Sequence, residues 1–494
     1  MLLLGIDIGT SSVKVSVVDA ASQKVLASAQ YPEEESPIIA LQPGWAEQSP
    51  EMWWQHTQNA IKLCNLTAKY KTSDITDIGI AYQMHGLVLV DKNQDVLRNS
   101  IIWCDSRAVE IGDTAFKTIG EEYCLSHLLN SPGNFTASKL AWVKEHEPQV
   151  YERIKKVMLP GDFIAMKLTG EITTSIAALS EGMFFDFKNN RLSKKLNEYF
   201  GFDEELFPEI KPVFSSHGDL MVSVAEKLNL KAGIPVTYKA GDQPNNALSL
   251  NVLNPGEVAA TAGTSGVIYG VSDQLAYDPQ SRVNTFAHVN YTEAQKRLGV
   301  LLCINGTGSL NRWLRNVFGT ALNYSQINNE AKTAPLGSNG LLVLPFGNGA
   351  ERMLNNKLTG AHFNNIDVNL QTRADIFRAV QEGIAFAFRY GLDIMRSNRM
   401  NPTVIRAGKN NLFLSELFTE TFVNITGVPV ELYKNDGSVG AALGAGIGAL
   451  IFKTPAEAFE HMQPVQFVEP ATQQLEPVYN NWKALLESQL AKAY

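Results

Sequence analysis

One pattern occurs twice in this chain and restricts the folds open to it. Leu2 to Ile8 is a continuous apolar run, Gly9-Thr10-Ser11-Ser12 turns the chain, and Val13, Val15 and Val17 then alternate with Lys14 and Ser16. That period of two is the signature of a half-buried strand. Near mid-chain the pattern returns: Glu257 to Ala262 is strand-like, Gly263-Thr264-Ser265-Gly266 is a turn, and Val267 to Val271 is strand-like again. Two domains of similar fold, each opening with such a hairpin, account for the repetition. Gly-Thr-Ser is also a common turn, so coincidence stays open at this level. At roughly 100 to 200 residues per domain the length suits two domains, and we place them at 1–248 and 249–494 with the boundary in 248–255.

Between the hairpins, strands and helices alternate. Lys24 to Ala29 extends the first hairpin to three strands, Pro50 to Asn65 reads as a helix, and Ile78 to Ala81 and Gly86 to Asp91 read as short strands. An antiparallel start followed by this alternation is an α/β pattern. The formal net charge is -8 with no lysine or arginine cluster, which argues against a nucleic-acid or anionic-membrane surface. Val439 to Phe452 is apolar but too short and glycine-rich to span a bilayer, so a buried helix is expected there. Cys64, Cys104, Cys124 and Cys303 form no C-x-x-C pair, and the N-terminus has no basic region or cleavage site. Both point to a cytoplasmic protein in a reducing compartment.

Several segments carry groups suited to chemistry. A phosphate needs approachable backbone N–H groups and hydroxyls, which Gly9, Thr10 and Ser11 supply, with Lys14 as a nearby cation. Asp7, ending the first strand, can hold Mg²⁺ through water. Gly263, Thr264 and Ser265 form a second such loop. Either could be a plain polar hairpin; two in one chain suit two walls of a nucleotide site. No G-x-x-x-x-G-K-[ST] occurs, so a Walker-type kinase is excluded. Asp242, after the strand-like Ile234 to Tyr238 and before Pro244, suits either a helix N-cap or a general base accepting the proton of an attacking hydroxyl. Met84, His85, Trp103, Asp105 and Arg107 end two strand-like runs and could read a hydroxyl-rich ligand, or be a buried Trp and a surface ion pair. Gly408, in Arg406-Ala407-Gly408-Lys409-Asn410-Asn411, would let backbone approach a ring or phosphate. Asp436 to Gly444 reads as a helix start with small residues for close packing.

Taken in order, these motifs resemble the FGGY carbohydrate kinases, and within them the branch acting on xylulose. Pro43 to Gln48 with Trp53-Trp54, Gln83-Met84-His85-Gly86, Ile102 to Arg107, Asn134 to Trp142 and Leu159-Pro160-Gly161-Asp162 join the two hairpins in that likeness over essentially the whole chain. The resemblance implies two ribonuclease-H-like domains of the actin, Hsp70 and hexokinase superfamily, closing over an inter-domain cleft. It implies ATP and Mg²⁺, a small-molecule sugar substrate, no nucleic-acid or membrane partner, and a homodimer. Asp242 and Asp7 would be catalytic. Met84, His85, Trp103, Asp105, Arg107 and Gln243 would face the sugar. Gly9, Thr10, Ser11, Lys14, Gly263, Thr264, Ser265, Gly408 and Asn411 would line the nucleotide. The implied reaction is phosphorylation of D-xylulose; the alternatives are another ketose or polyol, or an actin- or Hsp70-like ATPase. Arg406 to Lys409 departs from the family's glycine run, Gln243 stands where xylulose kinases often have Asn, and Asn134 and Gln381 are off-pattern in the family signatures.

Overall fold

The first hairpin forms as its alternation predicts. Strand β1 (Leu2–Ile8) pairs antiparallel with β2 (Val13–Asp19), and the Ile8–Val13 register leaves Gly9 to Ser12 as the turn, closed by Gly9 N–H donating to the Ser12 carbonyl at 3.0 Å. β3 (Val25–Tyr31) extends the sheet on one side; β4 (Ile75–Tyr82) and β5 (Val236–Gly241) extend it on the other, both parallel to β1. The order is β5-β4-β1-β2-β3. A computed structural model describes residues 1–67, 69–319, 321–471 and 474–492. These fall into two compact units. The first comprises Met1–Leu253, Phe286–Leu298 and Asp436–Met462; the second comprises Asn254–Thr285, Gly299–Asn435 and Gln463–Tyr494.

β1 and β4 are apolar at almost every position because both sheet faces are covered. Helix Pro50–Leu66 packs on β2 and β3, with Trp53 in the core, and helix Gly437–Gly448 packs on β1, β4 and β5. The second contact is unusually close, which explains the small residues. A side chain at Gly5 would put Cβ 1.8 Å from the Ser438 carbonyl oxygen, one at Gly79 would put it 1.9 Å from that of Ala441, and one at Gly448 would put it 1.9 Å from that of Thr237. Gly5→Ala is therefore expected to destabilise the protein by about 1–3 kcal/mol, the usual penalty of overpacking. Urea denaturation checks this, and an unchanged midpoint would show that helix and sheet can separate freely.

In the second unit, β6 (Glu257–Ala262) and β7 (Gly266–Ser272) make the second hairpin, joined by β8 (Leu298–Ile304), β9 (Val404–Gly408), β10 (Val430–Tyr433) and β11 (Gln466–Val468). From the edge strand Asn284–Ala287 the seven-stranded order runs on through β8-β7-β6-β9-β10-β11. β6 is antiparallel to β7 and parallel to β9, and β9 is parallel to β10. The five strands β10-β9-β6-β7-β8 thus repeat β5-β4-β1-β2-β3. Each unit carries one ribonuclease-H-like sheet. The buried middle of helix Arg373–Ser397 forms the second core with Trp482, whose Nε1 donates to the Val343 carbonyl at 2.8 Å. Among the described residues no helix is long and apolar enough to cross a membrane.

Candidate active site

Parallel register gathers the first unit's chemistry. Cα partners Ile8–Tyr82 and Gly241–Tyr82 place the ends of β1, β4 and β5 side by side, so the residues at or just beyond them (Asp7, Met84, His85 and Asp242) share one sheet edge. Carboxyl ends of parallel strands are where ligands bind in such sheets. Asp242 is the first residue of helix Asp242–Ser249, and its N-cap is Gly241, so the alternative of Asp242 as N-cap falls away. A side chain at Gly241 would come within 2.6 Å of Met84 Cγ and 2.9 Å of Glu181 Oε2, so only glycine lets these two groups close against the base of Asp242. Beside Asp242, Gln243 Oε1 is buried with no protein partner, an acceptor left for a ligand hydroxyl.

The carboxylates sit in an environment that resists their charge. Asp242 is only partly exposed, and burial raises its carboxyl to about 6 against hydrogen bonds from Gln243 that lower it. Asp7 is raised to about 7, first by burial and then by repulsion from Asp242 and Asp436, while Lys14 opposes the shift. Asp436 caps helix Gly437–Gly448, its Oδ1 accepting the Ser438 N–H at 2.9 Å, and lies 3.8 Å from Lys14 Nζ. Gly437 has no side chain because Cβ there would lie 2.2 Å from Asp7 Oδ2. A carboxyl with a raised folded pKa stabilises below its unfolded value of about 4, and that contribution is lost as pH rises through about 7. Asp7→Asn is thus expected to stabilise the ligand-free protein at pH 8 by roughly 1–3 kcal/mol, allowing for partial exposure, and to give no gain at pH 4. Paired thermal melts at the two pH values test this, and an equal shift at both would refute it.

Around this edge the residues expected to face a sugar divide. His85 has a left-handed backbone (φ 64) held by Glu181, whose Oε1 accepts the His85 N–H at 3.0 Å and whose carbonyl faces Nδ1 at 3.2 Å. A carbonyl partner makes Nδ1 the protonated nitrogen of the neutral ring. The His85 ring packs edge-on to Phe135. Lys139 Nζ, fully buried, donates to the His85 and Ile102 carbonyls at 2.9 and 3.0 Å and ties the two sugar-side loops together. Trp103 is half exposed, its Nε1 donating to Thr10 Oγ1 at 3.0 Å. Asp105 and Arg107 are committed elsewhere: the Asp105 carboxylate takes the Ala46 N–H at 2.6 Å and the Arg107 guanidinium at 2.7 Å, and Arg107 lies 3.8 Å over the Trp45 ring and 2.8 Å from Glu47. Both are buried inside this internal ion pair. The Thr10 hydroxyl likewise donates to Gln83 Oε1 at 3.2 Å, whereas Ser11 is exposed. No local pattern singles out Glu181. Lys139 lay within a quoted motif, but its contacts require the fold.

The second unit holds a cavity of about 540 Å³ lined by Gly263, Thr264 and Asn411, with Ser265 and Gly408 outside the lining. Asn411 Nδ2 stands 3.5 Å from where a Gly263 Cβ would be. Part of the lining is one that sequence reasoning missed: helices Gly308–Phe318 and Tyr324–Ala331 contribute Asn311, Tyr324 and Asn328. The first of these helices starts on the loop, with Gly308 N–H donating to the Gly263 carbonyl at 2.9 Å and Ser309 N–H to that of Thr264 at 3.0 Å. Its positive end suits an anion there. Glu351 accepts the Asn305 and Gly306 N–H groups, and burial raises its carboxyl to about 7. Arg406 points away into a pair with Glu431 at 2.8 Å, so the departure from a glycine run is spent on the sheet surface.

Comparison with known proteins agrees with this architecture. Residues 2–249 match the N-terminal domain and residues 258–450 the C-terminal domain of the FGGY family of carbohydrate kinases. The chain is 28% identical over 466 residues to the xylulose kinase of Escherichia coli (strain K12), covering 94% of this chain and 92% of that one. The solved xyloylose kinase of Brucella ovis superposes with TM-score 0.90 at 26% identity over 99% of this chain and 100% of its own. Plasmodium falciparum glycerol kinase superposes with TM-score 0.88 at 21% identity over 99% and 98%, a likeness of fold alone. With both family domains matched across most of its length, the chain belongs to the FGGY family of carbohydrate kinases.

Proposed function

We propose that the protein transfers the γ-phosphoryl group of ATP to D-xylulose, giving D-xylulose 5-phosphate and ADP. The observation that carries the mechanism is the partly exposed Asp242 carboxyl, raised to about 6, standing with Met84, His85 and Glu181 at one sheet edge. A base near 6 is ionised at neutral pH and still basic enough to take a hydroxyl proton in the transition state. As Asp242 accepts that proton, the acceptor oxygen bonds to the γ-phosphorus, the bond to the bridging oxygen breaks, and ADP departs with its electron pair. His85 and Gln243 orient the acceptor's other hydroxyls. Gly263, Thr264 and Asn411 hold the nucleotide in the second unit's cavity.

Mg²⁺ fits the residues present. Among the described residues no cluster of three ligating side chains occurs, and this ion commonly binds through one or two carboxylates, water and substrate phosphates. Asp7, with Asp242 and Asp436 nearby, would hold it, and its charge would offset that of the phosphates.

The names of the full-length relatives favour xylulose as acceptor. The test is a coupled assay with ATP and Mg²⁺ over a panel of xylulose, ribulose, fuculose, rhamnulose, sedoheptulose, gluconate and glycerol. D-Xylulose is expected to give the highest kcat/KM. A higher value for any other acceptor reassigns the substrate, and ATP turnover without an acceptor points to a switch ATPase.

A further inference from the structure

We propose that Asn328 reads the base of the nucleotide through its side-chain N–H, with its polarity dictated from the backbone through Ser415 and Gln381. The inference rests on the nucleotide reading of the second unit's cavity. Ser415 caps helix Glu416–Thr426, its Oγ accepting the Phe418 N–H at 3.3 Å. A peptide N–H can only donate, so that oxygen is an acceptor there, and its own hydrogen goes to Gln381 Oε1 at 2.7 Å. Gln381 is fully buried. Turned the other way, its amide would make the Ser415 oxygen accept twice and leave the hydroxyl hydrogen without a partner among the described residues, which a buried hydroxyl resists. Gln381 Nε2 therefore donates, to Asn328 Oδ1 at 3.0 Å. With its carbonyl engaged inward, Asn328 offers the cavity it lines a donor, Nδ2–H. These directions follow from one peptide N–H rather than from how either amide is drawn.

A second observation concerns what fills the cavity. Asn311, 7% exposed, also lines it, and its Oδ1 has no partner in the protein. The occupant must bring an N–H or O–H to this oxygen and an acceptor to Asn328. Adenine carries that combination along one edge, an exocyclic amino group beside a ring nitrogen. Guanine places an oxygen at the amino position, where Asn311 would meet a second acceptor.

The experiment measures KM for ATP and for its 1-deaza, 3-deaza and 7-deaza analogues, each lacking one ring acceptor, at saturating acceptor sugar. In the unmodified protein either the 1-deaza or the 7-deaza analogue, whose missing nitrogen lies beside the amino group, is expected to have a KM about 5- to 10-fold above ATP, the effect of one lost neutral hydrogen bond, while a penalty confined to the 3-deaza analogue overturns the proposal. In Asn328→Ala that analogue and ATP should become equal within about twofold, with KM for the sugar unmoved. Gln381→Glu, whose carboxylate can only accept, forces Asn328 to turn its carbonyl outward and should raise KM for ATP about 10-fold. Analogue penalties that persist undiminished in Asn328→Ala overturn the proposal while leaving the kinase reading intact. No turnover on any nucleoside triphosphate overturns both. Asn328 is partly exposed, so its truncation is expected to fold even where the buried Gln381→Glu change does not.

Discussion

Replacing Asp242 by Asn is expected to lower kcat by at least ~10²-fold, with KM for ATP within about twofold of the parent, because the change would remove the proposed proton acceptor and Asp242 does not line the cavity proposed for the nucleotide. The geometry makes this a clean substitution. Among the described residues Asp242 takes hydrogen bonds from Gln243 and its own backbone, and the contacts that position it run through Gly241 and the helix start, so Asn keeps shape and place. The same environment predicts the pH profile. With the carboxyl near 6, kcat/KM should fall tenfold per pH unit well below 6 and flatten above it. The residual rate of Asp242→Asn should lack that limb. Near-normal turnover, or an unchanged acid limb in the variant, would remove Asp242 from the proton-transfer step.

The largest effect on stability is expected at Lys239. It lies in β5, buried, three positions before Asp242, and its Nζ donates to Asp162 Oδ1 at 2.6 Å, to the Thr173 carbonyl at 2.7 Å and to Thr173 Oγ1 at 3.1 Å. Asp162 is equally buried, and its Oδ2 has no partner. Lys239→Met would leave that carboxylate alone in a medium that cannot solvate it. We expect a loss of about 3–5 kcal/mol, seen as a lower midpoint in urea. Removing both charges is a different matter. The double variant Lys239→Met with Asp162→Leu should recover most of the loss, since a buried pair owes much of its Coulombic gain back to desolvation. Additive losses in the double variant would show that the pair contributes net stability. His217 offers an internal check. It bonds Thr173 Oγ1 through Nδ1, and burial together with the Lys239 charge pushes it down to about 3, so its pKa should rise in Lys239→Met.

Local pattern was legible where it was repeated or tightly spaced. The hairpin alternation placed β1, β2, β6 and β7, and the run after Asp436 read correctly as a helix start with small residues for close packing. What that helix packs against was not legible. Its glycines face Tyr238 and the Thr237 carbonyl, and Gly5 and Gly79 face it in return, a fit between segments hundreds of positions apart. The site shows the same division. Gly9, Asp7 and Asp242 announce themselves by turn chemistry and by lying at strand ends. Glu181 sits at the end of a six-residue helix with nothing in its neighbours to mark it, and it matters because it holds the His85 backbone. Asp105 and Arg107 were open to two readings, ligand readers or an ion pair, and only the fold shows that the two charges engage each other and are buried.

The sequence by itself determined the duplicated α/β plan and its two hairpin turns, because periodicity and turn residues act over a few positions and need no partner; the kind of chemistry came from the ordered likeness of its motifs to a known family. Tertiary structure alone decided which polar groups remain for a ligand. Gln243 and Asn311 keep a buried oxygen without a partner among the described residues, whereas the Asp105 carboxylate is taken up by Ala46 and Arg107, and a hydrogen bond or a desolvated charge depends on whatever the fold brings within about 3 Å, however distant in the chain.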